Sequence, residues 1–412
     1  MISDRFINDG KPSLKLSELQ RKHIAIFQDK CRSGEYMFVK RKCECGSMDC
    51  EIIAQKDRYG IAVDTVICKN CGLIRTSPFL DDGSNKRFYV EDYPFIYRAE
   101  VKPSEEKFFQ ERSTADIIVQ FIRKHTNILQ GDVLEIGCAD GRNVIAFAEK
   151  GYNVVGIDLS SAYVEFGRRR GLNLFCCDAS EYKERGQKFD IIVLNHVLEH
   201  FTDLERELGT IKGLLKQEGR LYIGVPGVRA LSFGAYHGDF LLMLQNAHVY
   251  NFTRDTLCRV MRKYGFDTVF CNEGVYGIFK SGKSEEINGN SYLETMNYLR
   301  EVELAAGDKE ILLQNRLNEI LGRYGTKEVL LYGTALELDA FVQKITELVP
   351  IKGFFYSDQK SPAEIAEYVC SVTDVKCILV MDAEHNAQIM DELAMLLSNC
   401  ECDIFSVYTD LF

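Results

Sequence analysis

The residues with the most to offer chemically lie at three turns of the middle of the chain. In VLEIGCADGRN (133–143), Gly137 and Gly141 stand where an apolar, strand-like run gives way to a helical pattern. Glycine there lets the backbone turn tightly and approach a ligand closely. In a parallel α/β sheet ligands sit at such strand ends, where helix N-termini offer free amides and the positive end of a dipole. Glu135, at the strand end, is suited to hold a cationic amino group, which favours an amino-acid-bearing nucleotide over a pyrophosphate. Asp158 closes NVVGID, the position from which an acidic residue accepts hydrogen bonds from ribose hydroxyls. Asp178 in FCCDAS ends the next strand and is placed to bind an adenine amino group. Cys138, Ala139, Leu159 and Ala179 flank these residues at the same turns and are expected to line the same pocket. A nicotinamide-binding turn would keep three glycines as GxGxxG, whereas Ala139 and Asp140 follow the first glycine here.

A second cluster is made of thiols. Cys43 and Cys45 form CEC, Cys50 follows, and Cys68 and Cys71 form the knuckle CKNC. Two close pairs flanking short β-prone runs suit tetrahedral zinc bound by thiolates. The first pair has one intervening residue where two are usual, so either Cys43 or Cys50 can be the fourth ligand beside Cys45; Cys43 is preferred. With no open coordination position such a zinc is structural, supplying folding energy to a module with little core of its own. The remaining cysteines, such as Cys138, Cys176, Cys177, Cys370 and Cys377, stand in apolar surroundings and read as reduced core residues.

The elements that must hold these residues alternate. Between 131 and 280 the runs VLEIG, NVVGID, LNLFCC, FDIIVLN and RLYIGVP are strand-like, with helical patterns over 142–150, 160–170 and 203–216. That order predicts an α/β fold, a doubly wound parallel sheet of Rossmann-like type covered on both faces. A lead-in helix is expected from about Ser104 to Leu129, and an N-terminal helix within Ser13–Cys31. The expected organisation is a helical arm (1–35), a zinc ribbon (36–85), the core with its lead-in helices (86–285), a linker helix (286–326) and a smaller Rossmann-like α/β domain (327–412). In that last domain EVLLYG, IKGFFYSD, KCILVMD and CDIFSVY read as strands, with helices starting near Ala335, Pro362 and Ala383.

Composition narrows the classes. The chain of 412 residues is 46% hydrophobic and 27% charged, as globular proteins are, and no apolar run reaches the ~20 residues of a membrane span. A formal charge of -11 disfavours a phosphate backbone as partner, so nucleic acid is not expected. The N-terminus MISDRFINDGKPSLK has charges and a proline where an export signal needs an apolar stretch, which leads to the expectation of a cytoplasmic protein.

Taken in order, VLEIGCADG, GIDLS, CCDAS and FDIIVLNHVLEHFTD resemble the successive motifs of class I S-adenosylmethionine-dependent methyltransferases. The resemblance implies S-adenosylmethionine as cofactor, with Asn195 and His196 lining its methionine end and His200 nearby. Adding the ribbon ending KNCGLIRTSP, the aromatic stretch RFYVEDYPFIYR and the C-terminal α/β unit, the layout is similar to zinc-ribbon methyltransferases of bacterial sugar and surface-polysaccharide pathways, deoxysugar C-methyltransferases among them. This implies a carbohydrate acceptor, nucleotide-linked or part of a surface glycan. It also implies His248 in QNAHVYNF as general base, a role that an imidazole titrating near pH ~6.5 can fill. Tyr89 and Asp92 match the aromatic and acidic residues of the family's N-terminal lid. Asp92 stands where those relatives tend to have glutamate, and Gln245, three residues before His248, where they tend to have tyrosine.

Overall fold

The computed structural model describes residues 1–98, 103–105, 108, 112–233, 235–325, 327–334, 338, 351–372, 374–382, 386–398 and 400–406. The chain divides into two compact units, one of Met1–Pro12 with Leu16–Val302, the other of Ser13–Lys15 with Glu303–Phe412.

The first unit is built on seven strands: β6 (Asp132–Ile136), β7 (Asn153–Asp158), β8 (Leu174–Cys176), β9 (Phe189–Asn195), β10 (Leu215–Gly224), β12 (Phe266–Cys271) and β13 (Tyr276–Ser281). They lie in the order β12-β13-β10-β9-β6-β7-β8, with β6 to β10 parallel and β13 antiparallel to both β10 and β12. The expected doubly wound, mostly parallel core is present. Strands buried on both faces read as unbroken apolar runs, and alternate residues divide between the two faces. Val133, Ile191 and Val193 pack on one side with Ile118, Val119 and Ile122 of α4 (Arg112–Thr126). On the other side Leu134, Ile136, Ile192 and Leu194 meet Leu204, Leu208 and Ile211 of α8 (Leu204–Leu214). The intervening helices are α5 (Arg142–Glu149), α6 (Ser161–Arg168) and α7 (Ala179–Lys183). Because β7 lies on one side of β6 and β9 on the other, the direction of winding reverses between β6 and β9, and a crevice opens beyond their carboxyl ends.

The cysteine module belongs to the same unit. β2 (Cys50–Lys56), β3 (Ala62–Cys68) and β4 (Ile74–Thr76) form an antiparallel sheet whose fourth strand, β11 (Tyr250–Asn251), comes from the segment after β10. β1 (Phe38–Val39) pairs with β5 (Phe79–Leu80). The N-terminal helix α1 (Glu18–Ser33) starts at a capping box of Ser17 and Gln20 and ends on Gly34, whose left-handed conformation closes the last turn. The aromatic stretch forms two short helices, α2 (Asp82–Glu91) and α3 (Tyr93–Tyr97).

A helix over Tyr292–Tyr324 contributes its residues up to Val302 to the first unit and the rest to the second. The second unit is a parallel sheet of β14 (Val329–Gly333), β15 (Gly353–Tyr356), β16 (Cys377–Met381) and β17 (Asp403–Ser406), in the order β15-β14-β16-β17. The helix expected at Pro362 runs Pro362–Ser371 behind a Ser361–Glu364 capping box, and another is described over Asn386–Leu396. The expected helix starts at Ala335 and Ala383 lie outside the described residues. Among the described residues no helix is long and apolar enough to cross a membrane.

Candidate active site

The crevice beyond β6 and β9 holds a cavity of about 250 Å³. Its floor is the strand tips, with Gly137, Asp158, Leu159, Asp178, Ala179, His196 and His200 on the wall, and its opposite side is α2 and α3, with Tyr89 and Tyr93. Gly137 is at φ +72, and a Cβ on it would stand 2.5 Å from Val197 Cγ2, so both conformation and space require glycine. The turn is closed by Gly137 and Cys138, whose N–H groups donate to the Ile157 carbonyl at 2.8 and 3.0 Å. Asp158 is fixed by two backbone donors: Ala139 N–H at 2.8 Å to Oδ2 and Ser160 N–H at 2.8 Å to Oδ1. Ala139 holds a left-handed φ of +47 to make this bond, a conformation that costs a non-glycine residue roughly 1–2 kcal/mol. Each carboxylate oxygen retains acceptor capacity toward the cavity. Asp178 caps α7, its Oδ1 accepting from the Ser180 and Glu181 amides at 3.0 and 2.9 Å, and its Oδ2 lies 3.4 Å from Lys86 Nζ.

Four of the expected cofactor residues do not line this cavity. Glu135 is buried behind the turn, where Asn143 Nδ2 donates to Oε1 at 2.6 Å, while Oε2 is buried with no hydrogen-bond partner among the described residues. Burial pushes its carboxyl up to about 8, and Asp140 and Asp158 add to the effect against the Asn143 hydrogen bond. Cys138 packs its side chain into the core under the sheet. Ala139 contributes its amide to Asp158, and Asn195 ends β9 just beneath His196.

Beside the cavity lies a constellation of residues drawn from distant parts of the chain. His196 is at φ +56, its amide tied to the Gly224 carbonyl at 2.7 Å, and its side chain is half exposed. Glu199, 1% exposed, has no hydrogen-bond partner on either carboxylate oxygen among the described residues. Around its Oε1 stand His196 Nδ1 at 3.5 Å, His200 Nε2 at 3.9 Å and His248 Nε2 at 3.9 Å. The Ala247 carbonyl lies 2.9 Å from His200 Nδ1, which therefore donates and leaves Nε2 as the bare nitrogen. Tyr89 stands edge-on to His200 with ring centroids 5.7 Å apart, and its hydroxyl is buried without a partner among the described residues. His248 is 3% exposed and sits behind His200 rather than on the cavity wall. Burial, with His200 and Arg58 nearby, holds it well below the usual imidazole range. Gln245, also off the wall, donates its amide to His248 Nε2 in a short contact and accepts from Arg58 at 3.2 Å. Burial works against a proton on His196, and Glu199 overcomes it, raising that imidazole.

Asp92, expected among the lid residues, does not line the cavity. It is buried away from the cavity, accepting from Tyr36 and, at 2.8 Å, from Lys30 of α1, so it braces α1 against the α2–α3 junction instead of facing a ligand. Glu199, with three imidazoles around it, and Arg98 and Tyr163, which line the cavity, are not singled out by the sequence. A charged residue within the apolar run HVLEHF is the signal that would have found Glu199.

In the cysteine module the sulfurs of Cys43, Cys45, Cys68 and Cys71 lie within 4.8 Å of one another, with Cys43–Cys71 and Cys45–Cys68 both at 3.6 Å. Tetrahedral zinc–sulfur bonds of ~2.3 Å set sulfurs roughly 3.8 Å apart, so the cluster has the dimensions of a zinc site. Cys50 is outside it, 3.6 Å from Arg75.

Residues 108–269 match the family described as methyltransferase domain. The ubiquinone biosynthesis O-methyltransferase of Coxiella burnetii (strain Dugway 5J108-111) is 27% identical over 110 residues, 25% of this chain and 47% of that protein. The Pasteurella multocida (strain Pm70) protein of the same name is 30% identical over 121 residues, 25% of this chain and 50% of that protein. The chain thus spans about half the length of these curated relatives. Burkholderia thailandensis 1,6-didemethyltoxoflavin-N1-methyltransferase, solved with 1,6-didemethyltoxoflavin and S-adenosylhomocysteine, is 18% identical, covering 57% of this chain and 100% of that one at a TM-score of 0.38. Magnesium protoporphyrin IX methyltransferase from Synechocystis PCC 6803, solved with bound S-adenosylmethionine, is 17% identical, covering 48% and 97% at a TM-score of 0.33. The chain carries a methyltransferase domain.

Proposed function

We propose that the chain transfers a methyl group from S-adenosylmethionine to an oxygen of a small hydroxyl-bearing acceptor, a carbohydrate ring being the acceptor we favour. The observation that carries this reading is the convergence of the Gly137 turn, Asp158, Asp178 and His196 on one cavity at the point where the sheet reverses its winding. Asp158 is preset to accept from a ribose diol, and the amides of the Gly137 turn stand over it. Asp178 offers a carboxylate to an adenine amino group. The buried Tyr89 hydroxyl, without a partner on the protein among the described residues, fits a polar ligand on the cavity wall.

When bound, the cofactor supplies an electrophilic methyl: the acceptor's O–C bond forms as the sulfur–carbon bond breaks, and the hydroxyl proton is released. The chain's own task is to orient the acceptor and take up that proton. His196 and His200 reach the cavity wall, Glu199 offers them a negative charge, and His248 stands behind His200 as a positioning residue. This moves the base role proposed for His248 to the face that can touch a substrate. Tyr89 and Tyr93 line the cavity with aromatic surface of the kind that packs on a sugar, which is what supports the carbohydrate reading alongside the sequence resemblance. The four thiolates are proposed to hold structural zinc.

Calorimetric titration with S-adenosylhomocysteine tests the cofactor assignment. We expect one site per chain; an absence of heat and of thermal stabilisation at millimolar ligand would refute it. Labelled S-adenosylmethionine with a panel of nucleotide sugars and phenols then identifies the acceptor.

A further inference from the structure

We infer that Glu199, His200 and His248 bind a divalent transition-metal ion that takes the acceptor's oxygens at its open positions. This rests on the methyltransferase reading for its role, not for its existence. One ligand atom from each of these residues lies within 4.8 Å of the other two. Bonds of ~2.0–2.1 Å to nitrogen and oxygen put neighbouring ligand atoms roughly 3.0–3.4 Å apart in octahedral or tetrahedral geometry. The separations of 3.9 Å from Glu199 Oε1 to each imidazole Nε2 need a contraction of about half an ångström or more to reach that range, and the two imidazoles, within 4.8 Å of each other, must close on the ion as well.

Three further observations point to an ion rather than to a closed hydrogen-bond network. First, a buried carboxylate is costly unless paired, yet neither oxygen of Glu199 has a hydrogen-bond partner among the described residues. Second, His200 gives its Nδ1 proton to the Ala247 carbonyl, a hydrogen bond that fixes the tautomer and leaves the Nε2 lone pair free to bind a metal. Third, the Glu199 and His248 backbones are tied together through Val249 N–H to the Glu199 carbonyl at 2.8 Å, so two of the ligands are held in place by main chain. Gln245 now donates to His248 Nε2 and has to turn aside for the ion to bind.

Imidazole and carboxylate together suit zinc, cobalt, iron or manganese rather than calcium. Three protein ligands leave positions open, as in catalytic sites, and His200 and His196 place that open side at the cavity. An acceptor with two adjacent oxygens, such as a vicinal diol, would chelate there. The ion would make its hydroxyl more acidic and hold it still for transfer, with the released proton passing to His196 or to solvent.

The test uses the full chain with its thiolate cluster filled by zinc, titrated with Co²⁺ and followed by visible absorption. We expect one Co²⁺ per chain with ligand-field bands free of sulfur charge transfer, and binding weakened at least ~10-fold in Glu199→Gln and His248→Ala. Catechol, as a bidentate oxygen probe, should shift the bands; unshifted bands would remove the acceptor half of the proposal. Wild-type protein that takes up no Co²⁺ at ~1 mM, or variants that bind it as the wild type does, would overturn the metal site. S-adenosylhomocysteine binding is measured on the same samples. Co²⁺ uptake without it leaves the metal site standing and removes the methyltransferase reading, and the reverse result removes the metal site alone.

Discussion

Replacing Asp158 by asparagine isolates the group on which the cofactor assignment most depends. The wild-type carboxylate accepts from the Ala139 and Ser160 amides, both at 2.8 Å, and has lone pairs left over for a ribose diol. Asparagine keeps one acceptor oxygen, so its NH₂ must face either one of those amides or the ligand. If the oxygen stays with the amides, the ribose meets a donor where it had a charged acceptor. One hydrogen bond to a charged group is worth about 1.5–3 kcal/mol, which converts to roughly a 10- to 150-fold weaker Kd. Ala139 adds to the cost to the fold, because its left-handed φ of +47 is held by the bond to Asp158. We therefore expect the apo protein to lose about 1–2 kcal/mol as well. The assay is calorimetry with S-adenosylhomocysteine, paired with thermal unfolding with and without the ligand. A Kd within threefold of wild type, in a variant that still unfolds cooperatively, would mean that Asp158 does not touch the ribose and that the pocket has been assigned to the wrong ligand.

Asp92→Asn should lower stability by about 1–3 kcal/mol, because Tyr36 and Lys30 lose a buried charged acceptor while Glu91, 2.7 Å from Lys30 Nζ, keeps that ammonium paired; cofactor affinity should be unchanged, and a lost activity at unchanged stability would return Asp92 to the catalytic machinery. Glu135 takes up a proton on folding, its carboxyl lying near 4.5 in the open chain and about 8 in the fold. The fold then binds more protons than the unfolded chain between those values, so stability falls as pH rises through that window. Glu135→Gln should flatten that fall and gain on the order of a few kcal/mol at pH 8, read from urea melts across pH. Cys68→Ser should remove one zinc per chain by elemental analysis and lower Tm, whereas Cys50→Ser should leave the metal content unchanged because Cys50 lies outside the sulfur cluster.

The core was legible because its signals are local. Each buried parallel strand is a continuous apolar run, each turn carries a glycine or an acidic cap, and the windows read as helices over 142–150, 160–170 and 203–216 fall on Arg142–Glu149, Ser161–Arg168 and Leu204–Leu214. Strand order tells which turns meet, so Gly137, Asp158 and Asp178 could be placed on one crevice from the sequence. Roles taken position by position from the resemblance need the fold beside them. A motif match says that an acid or a histidine is present, but not whether the side chain faces the cavity or the layer behind it. Asp92 meets Lys30 of α1 and Tyr36 just beyond that helix, which it adjoins only in the fold. His248 stands behind His200 because the backbone that carries it is drawn into the cysteine module's sheet.

That last connection joins the two chemically distinct regions of the first unit. The cysteine knuckle ends β3, and β3 fixes the register of β4 through Thr65–Thr76 and Ile67–Ile74. β4 in turn pairs with β11, where Tyr250 faces Arg75. Thr76 donates its hydroxyl to the His248 carbonyl at 2.8 Å and its amide to the Val249 carbonyl at 2.9 Å, and the Val249 amide donates to the Glu199 carbonyl at 2.8 Å. The chain of main-chain bonds therefore runs without a gap from the sulfur cluster to the buried carboxylate. Constellations of this kind work only when their supporting layer holds them to within about half an ångström. Two strands of this sheet are very short, and a tetrahedral ion across its knuckle would add to the rigidity that the sheet takes from packing Ile67, Leu73 and Ile74 into the unit's core. The thiolates need not touch a substrate to matter for chemistry: Cys68 ends the strand that pairs with β4, and β4 holds the His248–Val249 backbone that bonds to Glu199.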